Sequence, residues 1–353
     1  MKESIRARPW AGLDLGAFSV KLLAAQPGVG GMRYWVAESL LPQPADGADR
    51  LRAPEVVAQA IADCFARAGL HPRSFRGTSV GISGSDVIVK QITMPLLDDD
   101  EVGPALRFEA RKHLPFELQD LIIDFQVLGR YASQKKLEVL LAACGQEHAR
   151  RVCAPLDLLG IDVDILDAAP LALMNALVQG AESRREAFLL LDIGHTSSHL
   201  ALYQRDEPFF SRRLDFGGLT LTRAIAEGIR VPFEEAEEWK LAAGSDQPGF
   251  RVDWDSPEML AVHHCLRHDL VEELRRSFAF YGTLGQMPDP LKMWISGGSA
   301  RLPGLAARLS EILGFPVLLF NPLERLGVSP RAGQLPPIAP QFAQAYGLAL
   351  RTA

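Results

Sequence analysis

Two aspartates stand in the same small context. Asp14 closes an apolar run from Trp10 and leads into Leu15-Gly16-Ala17-Phe18-Ser19-Val20-Lys21. Asp192 closes the run Phe188–Leu191 and leads into Ile193-Gly194-His195-Thr196-Ser197. A turn that binds phosphate must point backbone N–H groups at the anion, which calls for glycine or other small residues. It needs a carboxylate to hold Mg²⁺, usually through water. A cation can then meet the phosphate charge. The first tip supplies all three, with Lys21 opening the returning strand. The second supplies the carboxylate, the glycine and two hydroxyls. One Asp-x-Gly is an ordinary turn. Two of them, each set between strands, predict a Mg–nucleotide sandwiched between two halves.

A third element supports this. Ser296-Gly297-Gly298-Ser299 follows the apolar run Leu291–Ile295 and precedes Pro303-Gly304 at a helix start. Such a turn lets a flat ring lie against the backbone. Gly217-Gly218, ahead of a helix over Leu219–Gly228, and the pair Glu237…Lys240 add weaker signals. Taken alone, that pair reads as a solvated helix face. The chain has no G-x-x-x-x-G-K-[ST], no G-x-G-x-x-G after a strand, no G-x-S-x-G and no H-E-x-x-H. P-loop hydrolysis, hydride transfer and serine hydrolase chemistry lose support accordingly.

The elements that must carry these tips follow from the pattern. Trp10–Leu15, Val20–Gln26 and Met32–Leu41 predict an antiparallel meander, its second turn rich in glycine (Gly28, Gly30, Gly31). A helix over Pro54–Gly69 and a strand over Thr78–Ser83 follow. Between about Asp86 and Asp164 lies an α+β insert. It contains strands Val87–Met94, Ile122–Leu128 and Leu137–Cys144, and a helix at Glu147–Leu159. A further helix, Asp98–His113, has an acidic first turn and a basic last turn (Arg111, Lys112, His113), which suits the helix dipole. The opening theme then repeats: Phe188–Leu191, Ser198–Tyr203 and Pro208–Phe216. A mostly helical stretch spans Pro232–Tyr281. Strand Leu291–Ile295, helix Pro303–Leu313, strand Val317–Phe320 and a closing helix Pro340–Leu350 complete the chain. The fold class is α/β, in two matching halves.

Composition bounds the reading. The 353 residues carry 37 Lys+Arg and 43 Asp+Glu, a formal charge of −6, and 48% are hydrophobic. This is globular composition, without the basic face of a nucleic-acid protein. No apolar run reaches the ~20 residues of a membrane span, and the polar start Met1–Pro9 lacks a signal-peptide core. A cytoplasmic protein is expected. Cys64, Cys144, Cys153 and Cys265 show no zinc spacing and read as buried thiols. His263-His264-Cys265 with His268 reads as a polar helix face rather than a metal cluster.

Four stretches together carry a resemblance. They are Leu13-Asp14-Leu15-Gly16 to Val20-Lys21-Leu22; Arg107-Phe108-Glu109-Ala110…Leu114-Pro115-Phe116…Ile123-Asp124-Phe125; Arg212–Gly218 with Phe233-Glu234-Glu235-Ala236-Glu237; and Ile295–Leu305. The order resembles the actin/chaperone/sugar-kinase ATPase superfamily. Within it, about Trp10 to Leu350 is similar to the PilM family of type IV pilus assembly proteins, relatives of the cell-division protein FtsA. The insert motif points to the pilus family rather than to kinases.

The resemblance implies a duplicated actin-like ATPase fold with ribonuclease H-like halves and an FtsA-type inserted subdomain. Its first subdomain would cover 8–85 with 165–185 and 340–353, and the insert 86–164. The second actin-like subdomain would cover 186–231 with 282–339, and a helical subdomain 232–281. ATP or ADP with Mg²⁺ would be the cofactor. Asp14 and Asp192 would hold Mg²⁺, and Lys21 would meet the phosphates. Gly16, Gly194 and Thr196 would shape the phosphate loops, with Ala17 and His195 beside them. Gly217, Gly218, Glu237 and Lys240 would approach the ribose, and Gly297, Gly298 and Ser299 the base. The family grips the N-terminal cytoplasmic peptide of a single-pass inner-membrane protein, PilN, in pilus assembly and twitching motility. Pilus motor ATPases and self-association are further implied contacts. Alternatives on the same fold are a sugar-type kinase and an FtsA-like division or secretion scaffold. A kinase would need a carboxylate near the second tip, and Asp162, Asp164 and Asp167 are nearby in sequence. The FtsA type ends in an amphipathic anchor, whereas Gln341–Ala353 is Ala-rich with one charge, Arg351, and reads as a docking helix.

This sequence departs from the family pattern at three positions. Phe18 and His195 are bulky where small residues are usual, and Ala169 replaces the carboxylate that positions the attacking water. Lost orientation of that kind removes about 10²–10⁴ in rate. The expected activity is at most a slow ATPase, with nucleotide as a structural or switching ligand.

Overall fold

In the computed structural model, the described residues are 8–28, 31–42, 53–110, 120–178, 187–204, 209–245, 251–285, 287, 291–326 and 339–351. The chain opens with β1 (Trp10–Leu15), β2 (Ser19–Gly28) and β3 (Gly31–Leu40), paired antiparallel as the sequence predicts. Helix α1 (Pro54–Ala68) starts on a proline and ends where Gly69 takes the left-handed conformation. Strand β4 (Gly77–Ile82) runs parallel to β1.

The insert holds β5 (Ile88–Pro95), α2 (Asp99–Ala110), β6 (Leu121–Tyr131), β7 (Lys136–Gly145) and α3 (Gln146–Leu158). Its sheet order is β5-β7-β6. Leu137, Val139, Leu141 and Ala143 alternate inward along β7 and meet Val102, Leu106 and Ala110 from one stripe of α2. Strand period two against helix period four closes this small core. The acidic start of α2 is observed, while Arg111–His113 and Leu114-Pro115-Phe116 lie outside the described residues.

Strand β8 (Ile165–Ala168) and helix α4 (Ala169–Val178) follow. The sequence reading named neither, and the reason is physical. Most of α4 is buried on every side, so it shows no amphipathic stripe.

The second half repeats the first with β9 (Phe188–Ile193), β10 (Ser198–Tyr203) and β11 (Phe210–Leu214). Three helices follow: α5 (Gly218–Ile229), α6 (Phe233–Ala243) and α7 (Pro257–Cys265). A π-helical turn over 266–270 joins α7 to α8 (Val271–Tyr281). Then come β12 (Met293–Ser296), α9 (Leu305–Leu313), β13 (Val317–Leu319), α10 (Pro322–Leu326) and α11 (Ala343–Ala349). The expected strand Pro208–Phe216 is shorter, and Pro208 lies outside the described residues, as does Gly30.

The two main sheets have the orders β3-β2-β1-β4-β8 and β11-β10-β9-β12-β13. Pairing sense matches position by position: two antiparallel pairs, then two parallel ones. Helices α4 and α11 and the turn before α11 fill the space between the sheets, packing Leu173, Leu177, Phe342 and Tyr346 against Leu23 and Leu190. Helix α11 is buried along its length, as a docking helix should be. Its neighbour Arg351 pairs with Asp167 at 3.2 Å. Three cysteines are buried free thiols, but Cys153 is only half-buried. His264 and His268 stack with ring centroids 4.3 Å apart. Among the described residues no group of three His, Cys, Asp or Glu is arranged to hold a metal.

Candidate nucleotide cleft

The two hairpin tips are built alike down to their hydrogen bonds. Gly16 N donates to Ser19 O at 3.1 Å, and Gly194 N donates to Ser197 O at 3.1 Å. In register, Asp14 faces Lys21 across the first hairpin and Asp192 faces His199 across the second. His199 therefore occupies in the second half the place Lys21 holds in the first. Both tips line one cleft of about 540 Å³ between the halves, together with Ala17, Gly218, Glu237, Lys240, Gly297 and Gly298. Gly16, Lys21, Gly194, His195, Thr196 and Ser299 line it as well, and so do Asp14 and Asp192. Of the expected site residues only Gly217 is not in the lining. It lies behind the second tip, where a Cβ would come within 2.6 Å of His195 O. The kinase candidates point elsewhere. Asp164 accepts from Thr78 N, and Asp167 pairs with Arg351.

The floor of the cleft holds a tight charge network. Lys21 Nζ donates to Asp14 Oδ2 at 3.2 Å and to Ser19 O at 3.3 Å. Asp14 Oδ1 accepts from Gln344 Nε2 at 3.1 Å. Glu38 accepts from Ser19 Oγ at 2.6 Å and from Gln341 Nε2 at 3.2 Å. Burial pulls the Lys21 ammonium down, but Asp14, Glu38 and Asp192 outweigh it, so its pKa sits above the ordinary value. Asp192 Oδ1 accepts from Ser296 Oγ at 2.7 Å. Burial raises the Asp192 carboxyl to about 6, against the opposing Ser296 hydrogen bond. Burial lowers His195 and His199 to about 4, helped by Lys240 at the first and Arg213 at the second.

On the wall opposite, Lys240 Nζ donates to Gly218 O at 2.9 Å, Thr222 Oγ1 at 2.6 Å and Glu237 Oε2 at 2.7 Å. Thr222 also donates to Glu237. The pair is not the solvated helix face its sequence suggests, because both side chains are nearly buried. Glu237 Oε1 is buried with no hydrogen-bond partner. Behind them Ser299 Oγ donates to Gly194 O at 3.0 Å. Gly297 sits at φ +90 with Ile193 O 2.4 Å from where a Cβ would be, so only glycine fits there. The N–H groups of Gly218 and Leu219 at the start of α5 donate to Gly194 O and His195 O, locking the second tip.

Residues 12–353 match the sequence profile of the type IV pilus assembly protein PilM family. The chain belongs to that family. A solved PilM–PilN type IV pilus biogenesis complex is 30% identical, with a TM-score of 0.79 over 96% of this chain and 97% of the other. Cell division protein FtsA of Borreliella burgdorferi is 23% identical over 186 residues, 48% of this chain and 43% of that protein. The chain thus matches less than half the length of this curated relative. MreB5 of Spiroplasma citri, solved bound to ADP, shares the fold at 12% identity and a TM-score of 0.50, over 97% and 95% of the two chains. The duplicated actin-like fold implied by the motifs is the fold of this PilM-family chain.

Several cleft residues carry no signal in the motifs. Glu38 reaches it from β3, Gln341 from the turn before α11 and Gln344 from α11. The clue is that Gln341 and Gln344 are the polar side chains of an otherwise apolar buried segment. Asp86 and His148 also line it, paired at 2.6 Å where the insert joins the first half.

The raised Asp192 carboxyl makes a pH prediction. Unfolded, the group titrates near 3.8; folded, near 6. Between those values the folded state holds a proton that the unfolded state has lost, so this group's contribution falls as pH rises. Asp192→Asn is expected to raise stability by about 3 kcal/mol at pH 8. That increment should fade to nothing near pH 4. Urea melts of both proteins at the two pH values check it, and an increment equal at both would refute the buried carboxylate.

Proposed function

We propose that this PilM-family chain is an actin-like nucleotide-binding scaffold of the type IV pilus inner-membrane platform. The observation that carries the nucleotide reading is Glu237 Oε1, a buried acceptor without a partner on the wall of a cleft that both halves share. A ribose hydroxyl is a donor that fits it, and an unsatisfied buried carboxylate oxygen is otherwise costly. The ADP in MreB5 supports the same use of the fold. Gly16, Ala17, Gly194, His195 and Thr196 would face the phosphates, Gly218 and Lys240 the ribose side, and Gly297, Gly298 and Ser299 the base. Asp192, singly hydrogen-bonded, suits a Mg²⁺ water shell. Asp14 would act behind Lys21 and Gln344, which occupy its two oxygens. Bound Mg²⁺ would neutralise phosphate charge.

Ala169 is fully buried at the start of α4, and the nearby Asp167 is taken by Arg351. With an alanine at that position and Asp167 paired to Arg351, the nucleotide would serve to hold the halves together. The PilM–PilN complex supports a PilN-like partner, and the segment gripped would be that partner's N-terminal cytoplasmic peptide. Through it the chain sits at the inner membrane; no helix among the described residues is long and apolar enough to cross one. Pilus motor ATPases are the proposed cytoplasmic contact.

Two measurements test this. Calorimetry with Mg-ADP should show binding that Glu237→Ala weakens by about 10–100-fold, the loss expected for a hydrogen bond to a charged group. No heat with wild type would overturn the nucleotide reading. Capture from solubilised inner membranes should recover a single-pass protein, and deleting its cytoplasmic tail should abolish recovery. Failure to recover any membrane protein would overturn the scaffold reading.

A further inference from the structure

Phe18 on the first tip and His195 on the second meet across the mouth of the cleft. Their ring centroids are 5.1 Å apart and tilted by 48°. This is direct ring contact, within the range of paired aromatic groups. A phosphoryl group between two rings must keep about 3.5–4 Å from each, which would hold the centroids about 7 Å or more apart. The observed spacing leaves no such room between the tips at these two side chains.

The charges point the same way. Lys21 and Lys240, the lysines of the cleft, are already engaged by Asp14 and Glu237. Carboxylates around the cleft are as many as the cationic side chains that line it. The N–H groups of Gly218 and Leu219 are spent on the second tip. Each added phosphate brings further negative charge to a lining whose two lysines are already paired and whose carboxylates and cations balance.

We infer that the cleft selects a nucleoside diphosphate over the corresponding triphosphate, with Phe18 and His195 as the residues that set the preference. The inference rests on the nucleotide reading above and adds the length of the phosphate chain. A diphosphate ends before the ring pair and leaves the contact between the halves intact. A triphosphate must part the rings, losing that contact. The protein then keeps its halves joined with the diphosphate bound and has no need of turnover.

Calorimetry of the full chain with ADP and with ATP, each with Mg²⁺, tests this without any substitution. ADP is expected to bind at least about 10-fold more tightly. In the double variant Phe18→Ala/His195→Ala, ATP should gain on ADP until the two affinities agree within about 3-fold. Phe18→Leu alone, which keeps an apolar side chain of similar volume, should narrow the gap partway. Equal affinities in the wild type, or a preference that survives the double variant, would overturn the inference and leave the nucleotide reading standing. Binding of neither nucleotide would overturn both.

Discussion

Lys21→Met is expected to destabilise the protein by about 3–5 kcal/mol, the loss typical of removing one partner from a buried ion pair. Lys21 and Asp14 have side chains only 10% and 13% exposed, and Glu38 and Asp192 face the same ammonium. Without it, three carboxylates share the floor of the cleft, and Asp14 keeps only the amide of Gln344. Because the Lys21 pKa is raised, the contribution is fully present below the ordinary lysine value. It is lost only at strongly alkaline pH. A second substitution, Asp14→Asn, should recover much of the lost stability, since both charges are then gone. Under the proposed nucleotide reading it should not recover ADP binding, for which Lys21 and Asp14 would act together. Chemical denaturation of the four proteins at pH 7.5 closes the cycle. A Lys21→Met variant within about 0.5 kcal/mol of wild type would mean that solvent reaches the pair.

The same residue shows where sequence reading succeeds. Asp14 and Lys21 are seven apart on a hairpin, and strand register alone brings them together. Local chemistry of that kind is visible in the chain: the tips, the turn at Gly297 and most strand and helix positions follow from period and punctuation. Glu237 and Lys240 were visible as a pair, yet burial reversed their meaning, because the covering surface comes from α5 and its Thr222. Gln344 is the harder case. It lies 330 residues from Asp14, and its polar head shows only as an oddity in an apolar helix. Long-range contacts are made by the packing of α11, and no local pattern encodes them. Helix α4 escaped for the complementary reason, since a segment buried on all sides has no face to read.

The seam between α4 and α11 is where a single methyl group should do most damage. A Cβ on Gly347 would lie 1.7 Å from Ala172 O, a backbone atom inside a helix. Neither partner can yield: α11 is buried throughout, and β1 crowds its other side, where Ala345 O would lie 2.3 Å from a Cβ on Gly12. Overpacking a core usually costs about 1–3 kcal/mol, and more where backbone must move. Gly347→Val is expected to exceed about 3 kcal/mol on that ground. The damage should reach the cleft as well as the core. Helix α11 carries Gln344, and the turn before it carries Gln341 and the carbonyl of Pro340 that accepts from Gly297 N. Displacing α11 therefore loosens Asp14, Glu38 and the Gly297 turn in one movement. Gly314→Ala is the control: φ is +78 there, but a Cβ meets nothing within 4 Å, so only the left-handed backbone penalty of about 1–2 kcal/mol applies. Thermal melts with and without Mg-ADP separate the two. Gly314→Ala should keep the full ligand-induced shift in midpoint. Gly347→Val should lose both stability and shift, and retention of the shift would mean that the seam and the cleft are not mechanically joined.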